Sequence, residues 1–289
     1  MGNNQMLVID VSTHNGTIDF KKVKSNGVKG VIIRAGFGKN SVDKRFIDNI
    51  AGAISAGLHI GIYWFIYGSN NAAALKNAEK CIKTISAYKK YIDLGVYSDW
   101  EYDSDKKAPG QTKVTRTEFV RIFNEYVENA GFEAGTYTNL DYFKNKFDME
   151  RLKKWPVWIA QYNSKLSEEY LSGYNIIMWQ FSSKGRVSGI KGNVDKNYYY
   201  GALNENKTEN NLENSGNSEN KSEVYDMPTI RRGSKGKAVK IWQVIIGAKV
   251  DGKFGPDTEK RTAAFQEKYG LLIDKVVGPK TWKVGLESV

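Results

Sequence analysis

The sequence predicts an α/β fold: an irregular, TIM-like (β/α) barrel with few helices in its second half, followed by a small all-α domain of three helices. Three observations carry this expectation. Eight short β-rich runs recur through residues 1–203, with amphipathic stretches between the earlier ones. Such alternation implies a parallel sheet, and eight strands suggest closure. Residues 204–224 hold seven Asn and five Glu, with Leu212 and Val224 as the large apolar residues. That segment cannot bury enough surface to offset the entropy of ordering, so it reads as a flexible linker. Residues 225–289 then return to apolar runs punctuated by Gly-Pro turns. An open doubly wound sheet is the alternative for the first block.

Taken in order, the β-rich runs are Met6–Val11, Gly30–Ala35, His59–Phe65, Gly95–Trp100, Ala134–Thr138, Pro156–Ala160, Ile176–Phe181 and a weaker one at Gly192–Asp195. Helical patterns occupy roughly 19–25, 43–56, 72–88 and 115–130. The block is short for a closed barrel, which typically takes about 250 residues. The missing length falls in the second half, where the last strands follow one another with little helix. In the tail, Ser234 offers a helix N-cap and Pro256 suits the first turn of the next helix. Asp251-Gly-Lys-Phe-Gly-Pro-Asp-Thr is echoed 23 residues later by Asp274-Lys-Val-Val-Gly-Pro-Lys-Thr.

Composition narrows the classes. The 289 residues include one cysteine, Cys81, so no intrachain disulfide can form. Cys81 sits in a helical pattern beside apolar residues, which reads as a buried thiol and not a peptidase nucleophile. Two histidines, His14 and His59, leave little for a zinc hydrolase site. No apolar stretch is long enough to span a membrane, and the polar N-terminus shows no secretory signal pattern. The net charge of +11 divides as +8 on residues 1–203, −3 on the linker and +6 on the tail. No basic recognition helix or zinc-finger spacing supports nucleic acid as the partner, and polyanionic surfaces in general, a bacterial wall among them, fit as well.

In a barrel, chemistry sits at the C-terminal ends of the strands. There stand Asp10 and Ser12, Arg34, Tyr63 and Trp64, Asp99 and Glu101, Tyr137, then Trp158, Gln161 and Tyr162, then Trp179 and Gln180, and finally Asp195. Four carboxyl groups within a ring of aromatics suit a carbohydrate. Asp99 and Glu101 alternate onto one face, with Cα atoms about 6.5–7 Å apart, and two carboxyl groups near one bond are the minimum for glycoside cleavage. Each acid taken singly could be a turn residue or an ion-pair partner, Arg34 a structural cation, and Trp158 or Trp179 core.

The motifs Asp10-Val-Ser, Arg34-Ala-Gly, Gly61-Ile-Tyr63, Asp99-Trp-Glu101, Gly135-Thr-Tyr137, Trp158-Ile-Ala-Gln161-Tyr162, Met178-Trp-Gln180 and Val194-Asp195 resemble, in order, the glycoside hydrolase family 25 lysozymes. The resemblance implies N-acetylmuramidase activity on the β-1,4 bond between N-acetylmuramic acid and N-acetylglucosamine. Carried over by position, Glu101 would be the general acid. Asp99 would stabilise the anomeric centre or hold a neighbouring N-acetyl group, and Asp10 and Asp195 would position groups and tune the acid. Tyr63, Tyr137 and Trp158 would line the groove, with Arg34, Gln161, Tyr162 and Gln180 completing the substrate-binding set. Trp64 departs from the many members with His there, which would remove a polar groove contact. A chitinase-like pattern fits poorly, because the positions before Asp99 hold Tyr97 and Gly95, with Asp93 out of register.

The tail runs Arg231–Gln243, Val250–Gln266 and Gly270–Trp282 resemble the small helical peptidoglycan-binding domain. The resemblance implies a wall tether that raises the local concentration of substrate. The expected enzyme is then a phage endolysin, made in the host cytoplasm and released to the wall through a holin, without cofactor, nucleic acid or membrane insertion. A bacterial autolysin and a non-catalytic wall-binding protein are the alternatives.

Overall fold

The computed structural model describes residues 5–166, 168–201 and 227–288. The chain divides into two compact units, one formed by residues 1–85 and 91–202, the other by residues 86–90 and 203–289. The linker predicted at 204–224 lies outside the described residues.

The first unit is an eight-stranded closed barrel. Its strands are β1 (Met6–Val11), β2 (Gly30–Phe37), β4 (His59–Phe65), β5 (Ile92–Asp99), β6 (Ala134–Asn139), β7 (Val157–Ala160), β8 (Ile176–Gly185) and β9 (Val194–Tyr199). A two-residue strand, β3 (Ser41–Val42), pairs with the end of β2 outside the ring. Helices α1 (Phe20–Ser25), α2 (Phe46–Ala56), α3 (Asn71–Ile85), α4 (Tyr102–Lys107), α5 (Lys113–Asn129), α6 (Met149–Leu152) and α7 (Glu168–Leu171) fill the connections. The long ones fall in the first half. Their apolar stripes close over the sheet, as where Phe119 of α5 meets Trp100 with ring centroids 5.4 Å apart.

The sheet departs from the predicted all-parallel ring at its last strand. Neighbours from β1 through β8 are parallel, but β9 runs antiparallel to both β8 and β1 and closes the barrel between them. The physical reason is connection length. Residues 186–193 are too few for a parallel crossover, which needs a dozen or more. The strand also extends to Tyr199, beyond the short run expected at 192–195. This reversal brings the start of β9, not its end, to the barrel mouth.

Trp64 and Trp100 point outward from the barrel, each fully buried. The Trp64 indole donates to the Gly38 carbonyl at 3.1 Å and to Asn77 Oδ1 at 3.3 Å. Position 64 therefore does not face the groove, and the exchange of a histidine for tryptophan there removes no groove contact. Gly36 makes room for this ring: a Cβ at Gly36 would lie 2.5 Å from the indole and 2.2 Å from the Ser41 carbonyl. The register of β2 against β4 slips between Arg34 and Gly36, so the strand bulges where Arg34 leaves it.

The second unit contains α8 (Lys237–Ile245), α9 (Pro256–Lys268) and α10 (Pro279–Glu287). Pro256 and Pro279 each begin a helix, where a missing N–H costs nothing. Ser234 is not an N-cap: α8 starts after Gly236, and the Ser234 hydroxyl accepts from the Arg231 N–H at 3.0 Å. The repeat seen in the sequence is a repeat in space. Gln243 accepts from the Gly252 N–H at 2.8 Å and donates to Asp251, the Lys253 carbonyl and Thr258. Gln266 does the same with the Lys275 N–H at 2.8 Å, Asp274, the Val276 carbonyl and Thr281. Trp242, fully buried, packs edge-on against Phe265 and Trp282 at the centre.

Candidate active site

The alternation of β-strand side chains sends one residue in two toward the barrel axis, and at the C-terminal mouth those residues enclose a cavity of about 320 Å³. β1 delivers Asp10, β2 Arg34, β4 Tyr63 and β5 Asp99. Beyond β5 the backbone stays extended through Glu101, at φ −133° and ψ −172°, before α4 begins. The alternation therefore continues past the strand: Trp100 turns outward, while Asp99 and Glu101 line the same cavity. Tyr137 of β6, Trp158 of β7, Gln180 of β8 and Asp195 of β9 complete the wall.

Two expected residues stand elsewhere. Tyr162 is at the rim, more than half exposed, and its hydroxyl donates to Gln180 Oε1 at 2.9 Å. Gln161 is buried under Trp179, whose indole donates to the Gln161 carbonyl at 2.7 Å. In turn, the cavity takes Ser12, which the sequence placed at the end of the first strand, and His14, Asn15, Phe65 and Asn193, which the strand-end reading did not single out. Cys81, fully buried in α3, is not among them, and burial pushes its thiol far up.

The acids fall into two pairs with different surroundings. Asp10 faces Asp195 across the β1–β9 register. Gln180 Nε2 donates to Asp10 Oδ2 at 2.9 Å and to Asp195 Oδ2 at 3.3 Å, and Asn197 Nδ2 donates to Asp10 Oδ2 at 2.9 Å. Burial, reinforced by the Asp195 charge, pushes Asp10 well above the usual carboxylate range, and burial raises Asp195 as well. Two like charges this close and this dry do not both ionise easily, so the pair titrates as a unit.

Asp99 is held differently. It is 5% exposed, and its Oδ1 has no hydrogen-bond partner in the chain. Burial, then the charges of Glu101 and Asp10, push it far up, opposed by Arg34. Glu101 is raised chiefly by burial, with Tyr137 pulling it down through a hydrogen bond and Asp195 and Asp103 adding to the rise. A carboxyl that keeps its proton toward neutral pH can serve as a general acid.

Arg34 is braced rather than free. Its Nε and Nη2 each lie 2.8 Å from Asp43 Oδ2, and the Asp43 side chain is wholly buried. The Thr13 N–H also donates to Asp43 Oδ2 at 3.1 Å, and the Arg45 N–H donates to Oδ1 at 2.8 Å. Trp158, 2% exposed, meets the rings of Tyr63, Tyr97 and Tyr137 edge-on and donates its indole N–H to Asn197 Oδ1 at 2.8 Å. Its ring is part of the cavity floor and not an exposed stacking platform.

Asn197 and Asp43 were both missed by the sequence reading. Asn197 had a signal: it lies two residues after Asp195 and so shares its face once the strand is known to reach Tyr199. Asp43 had none, because its stretch reads as the start of a helix.

A closed barrel whose mouth gathers two buried and two half-buried carboxyl groups among tyrosines is suited to glycoside cleavage. Residues 9–190 match the glycosyl hydrolases family 25, and residues 242–284 match the peptidoglycan binding domain. The chain belongs to glycosyl hydrolases family 25 and is a glycoside hydrolase with a peptidoglycan binding domain behind it. It is 28% identical over 285 residues to the autolytic lysozyme of Clostridium acetobutylicum, spanning 96% of this chain and 77% of that one. It is 26% identical over 200 residues to lysozyme M1 of Streptomyces globisporus, covering 67% of each. Among solved structures, the modular autolysin LytC from Streptococcus pneumoniae in complex with a synthetic peptidoglycan ligand superposes with a TM-score of 0.62 at 29% identity. That match covers 69% of this chain, which spans a little under half, 48%, of the pneumococcal chain.

Proposed function

We propose that this family 25 lysozyme cleaves the β-1,4 bond between N-acetylmuramic acid and N-acetylglucosamine, with Glu101 as the general acid. The single observation that carries this reading is the shared cavity of Asp99 and Glu101, with Trp100 turned away between them. Glu101, kept protonated by burial, gives its hydrogen to the departing glycosidic oxygen. The bond to the anomeric carbon breaks as positive charge develops on the sugar, a water molecule ends up supplying the OH at that carbon, directly or after the neighbouring N-acetyl oxygen, and the water's other proton restores the one Glu101 gave away. Asp99 meets that charge with an unpaired oxygen already desolvated, so no water has to be stripped from it during the step. The Asp10–Asp195 pair, titrating as a unit, carries its charge on the opposite side of the cavity and helps keep Glu101 protonated. Tyr63, Tyr137 and the braced Arg34 shape the sugar site.

The second unit retains the enzyme on the wall, and the positive charge of both parts adds a general attraction to anionic wall polymers. We place the action at the wall after release from the cytoplasm, with a holin as the export partner in the manner of a phage endolysin. Expression in a Gram-positive host tests that step: lysis is expected with a co-expressed holin, and prompt lysis without one overturns it.

Mass spectrometry of fragments from purified walls tests the bond. New reducing ends on N-acetylmuramic acid are expected. Reducing ends on N-acetylglucosamine, or free amino groups from peptide cleavage, would reject the assignment.

A further inference from the structure

Asn197 has no part in the reaction just described, yet it is fully buried and touches Asp10 directly. An amide can be built either way round, and the surroundings decide. Asn197 Oδ1 accepts from the Trp158 indole N–H at 2.8 Å, and an indole nitrogen can only donate. The Asn197 Nδ2 is thereby forced toward Asp10 Oδ2. Gln180 stands beside it: its Oε1 lies 3.1 Å from the Tyr137 hydroxyl and 2.9 Å from the Tyr162 hydroxyl, and its Nε2 donates to the two aspartates, whose oxygens accept. Asp10 Oδ2 thus meets N–H donors from two sides, and an amide N–H cannot accept. Both donors favour the charged form of that oxygen.

We infer that Asn197, latched by the Trp158 indole, is a positioning residue of the glycosidase reaction: with Gln180 it clamps Asp10 in the orientation that keeps charge on the Asp10–Asp195 pair. The inference rests on the glycosidase reading and deepens it. The consequence runs across the cavity. The other charged and titratable groups facing it are His14 from the turn after β1, Arg34 from β2, Tyr63 from β4, Asp99 and Glu101 from and beyond β5, and Tyr137 from β6, with Tyr162 at the rim. A negative charge on the pair favours the protonated form of Glu101. Removing the Asn197 donor makes the pair hold its proton to higher pH, so less charge faces Glu101, and the acid loses its proton sooner.

The test is Asn197→Ala read in two ways. Infrared difference titration follows the carboxylic acid band that Asp10→Asn removes. It is expected to move up by about one pH unit. The alkaline limb of the pH profile for reducing-end release is expected to move down. Asn197→Asp keeps the shape and the acceptor for Trp158 while replacing the donor with an oxygen. It is expected to move the band the same way, and it carries the test if the alanine variant does not fold. A band that titrates where the parent's does, or activity reduced by one factor at every pH, overturns the inference and leaves Asn197 a packing residue. The infrared reading needs no turnover, so failure of the glycosidase assignment would appear separately, as wrong products from the parent enzyme.

Discussion

The barrel mouth and the interior of the small unit both bury polar side chains, and they treat them in opposite ways. In the small unit, Gln243 and Gln266 each have both the oxygen and the nitrogen satisfied within a knot whose one carboxyl group, Asp251 or Asp274, is exposed and itself hydrogen-bonded. At the mouth, four carboxyl groups share one cavity, and Asp99 keeps an oxygen without a partner. A satisfied buried network fixes one structure, whereas an unsatisfied one costs stability wherever it stands. Asn49, Asn124 and Trp155 also bury an unpartnered polar atom, but among the described residues the unpartnered buried carboxyl oxygen stands at the mouth, where a substrate cation can use it. Asp105 in α4, which accepts from the outward-facing Trp100 indole at 3.0 Å, marks the boundary. Burial there is outweighed by hydrogen bonds from Arg116, Tyr142 and Trp100, and its carboxyl lies below the ordinary range.

The sharpest way to break this contrast is Asp99→Asn. Activity is expected to fall by roughly 10²–10⁴-fold, the range for losing one preorganised charge or proton-transfer group, while the barrel becomes more stable at neutral pH. A stabilised and still active variant would mean that the unpaired oxygen is not functional.

Next in size are Gln243→Ala and Gln266→Ala. Each strands several buried partners, at a cost of about 1–3 kcal/mol per unsatisfied group. Calorimetry is expected to show the small-unit transition lost or lowered, with weaker retention on walls and unchanged hydrolysis of short soluble glycans. Loss of soluble-substrate activity would show that the knots serve the barrel as well.

The pH dependence follows with its sign. A carboxyl raised in the folded state contributes stability that is present below the ordinary carboxylate value, about 4, and is lost as pH rises through the folded value. Asp10, Asp99, Glu101 and Asp195 are all raised. The stability advantage of Asp99→Asn over the parent is therefore expected to grow as pH rises from about 4 toward neutral. An advantage that is flat with pH would place the effect in packing and not in charge.

The smallest effect separates the two repeats of the small unit. Gly252 and Lys275 occupy equivalent turns with φ of 71° and 62°, and Lys275 is the one non-glycine residue with positive φ among those described. The left-handed conformation costs a side chain about 1–2 kcal/mol. Lys275→Gly is expected to raise the melting point slightly without changing wall binding. A lowered melting point would show that the lysine side chain makes up for its backbone.

Most of the barrel was legible because its first seven strands are short β-branched and aromatic runs, and the long helices between them carry clear stripes. The last strand was not. Its Lys196 and Asn197 interrupt the apolar alternation, and a reversed strand has no crossover helix to announce it. The carboxyl groups could be found because strand ends converge, so position alone brought Asp10, Asp99, Glu101 and Asp195 together. The groups that hold them in place were harder to see. Asp43 reaches Arg34 from a separate turn, and the amide of Asn197 matters only because Trp158 fixes which way it faces. Such orientation is a property of packing, and no pattern in the chain displays it.

The most direct test of the whole account is Glu101→Gln, assayed on purified walls for new reducing ends and for retention by sedimentation. The account predicts that release falls by roughly 10²–10⁴-fold while the protein still sediments with the walls. Turnover within a few-fold of the parent would contradict it, because a glutamine amide has no acidic hydrogen to give the leaving oxygen.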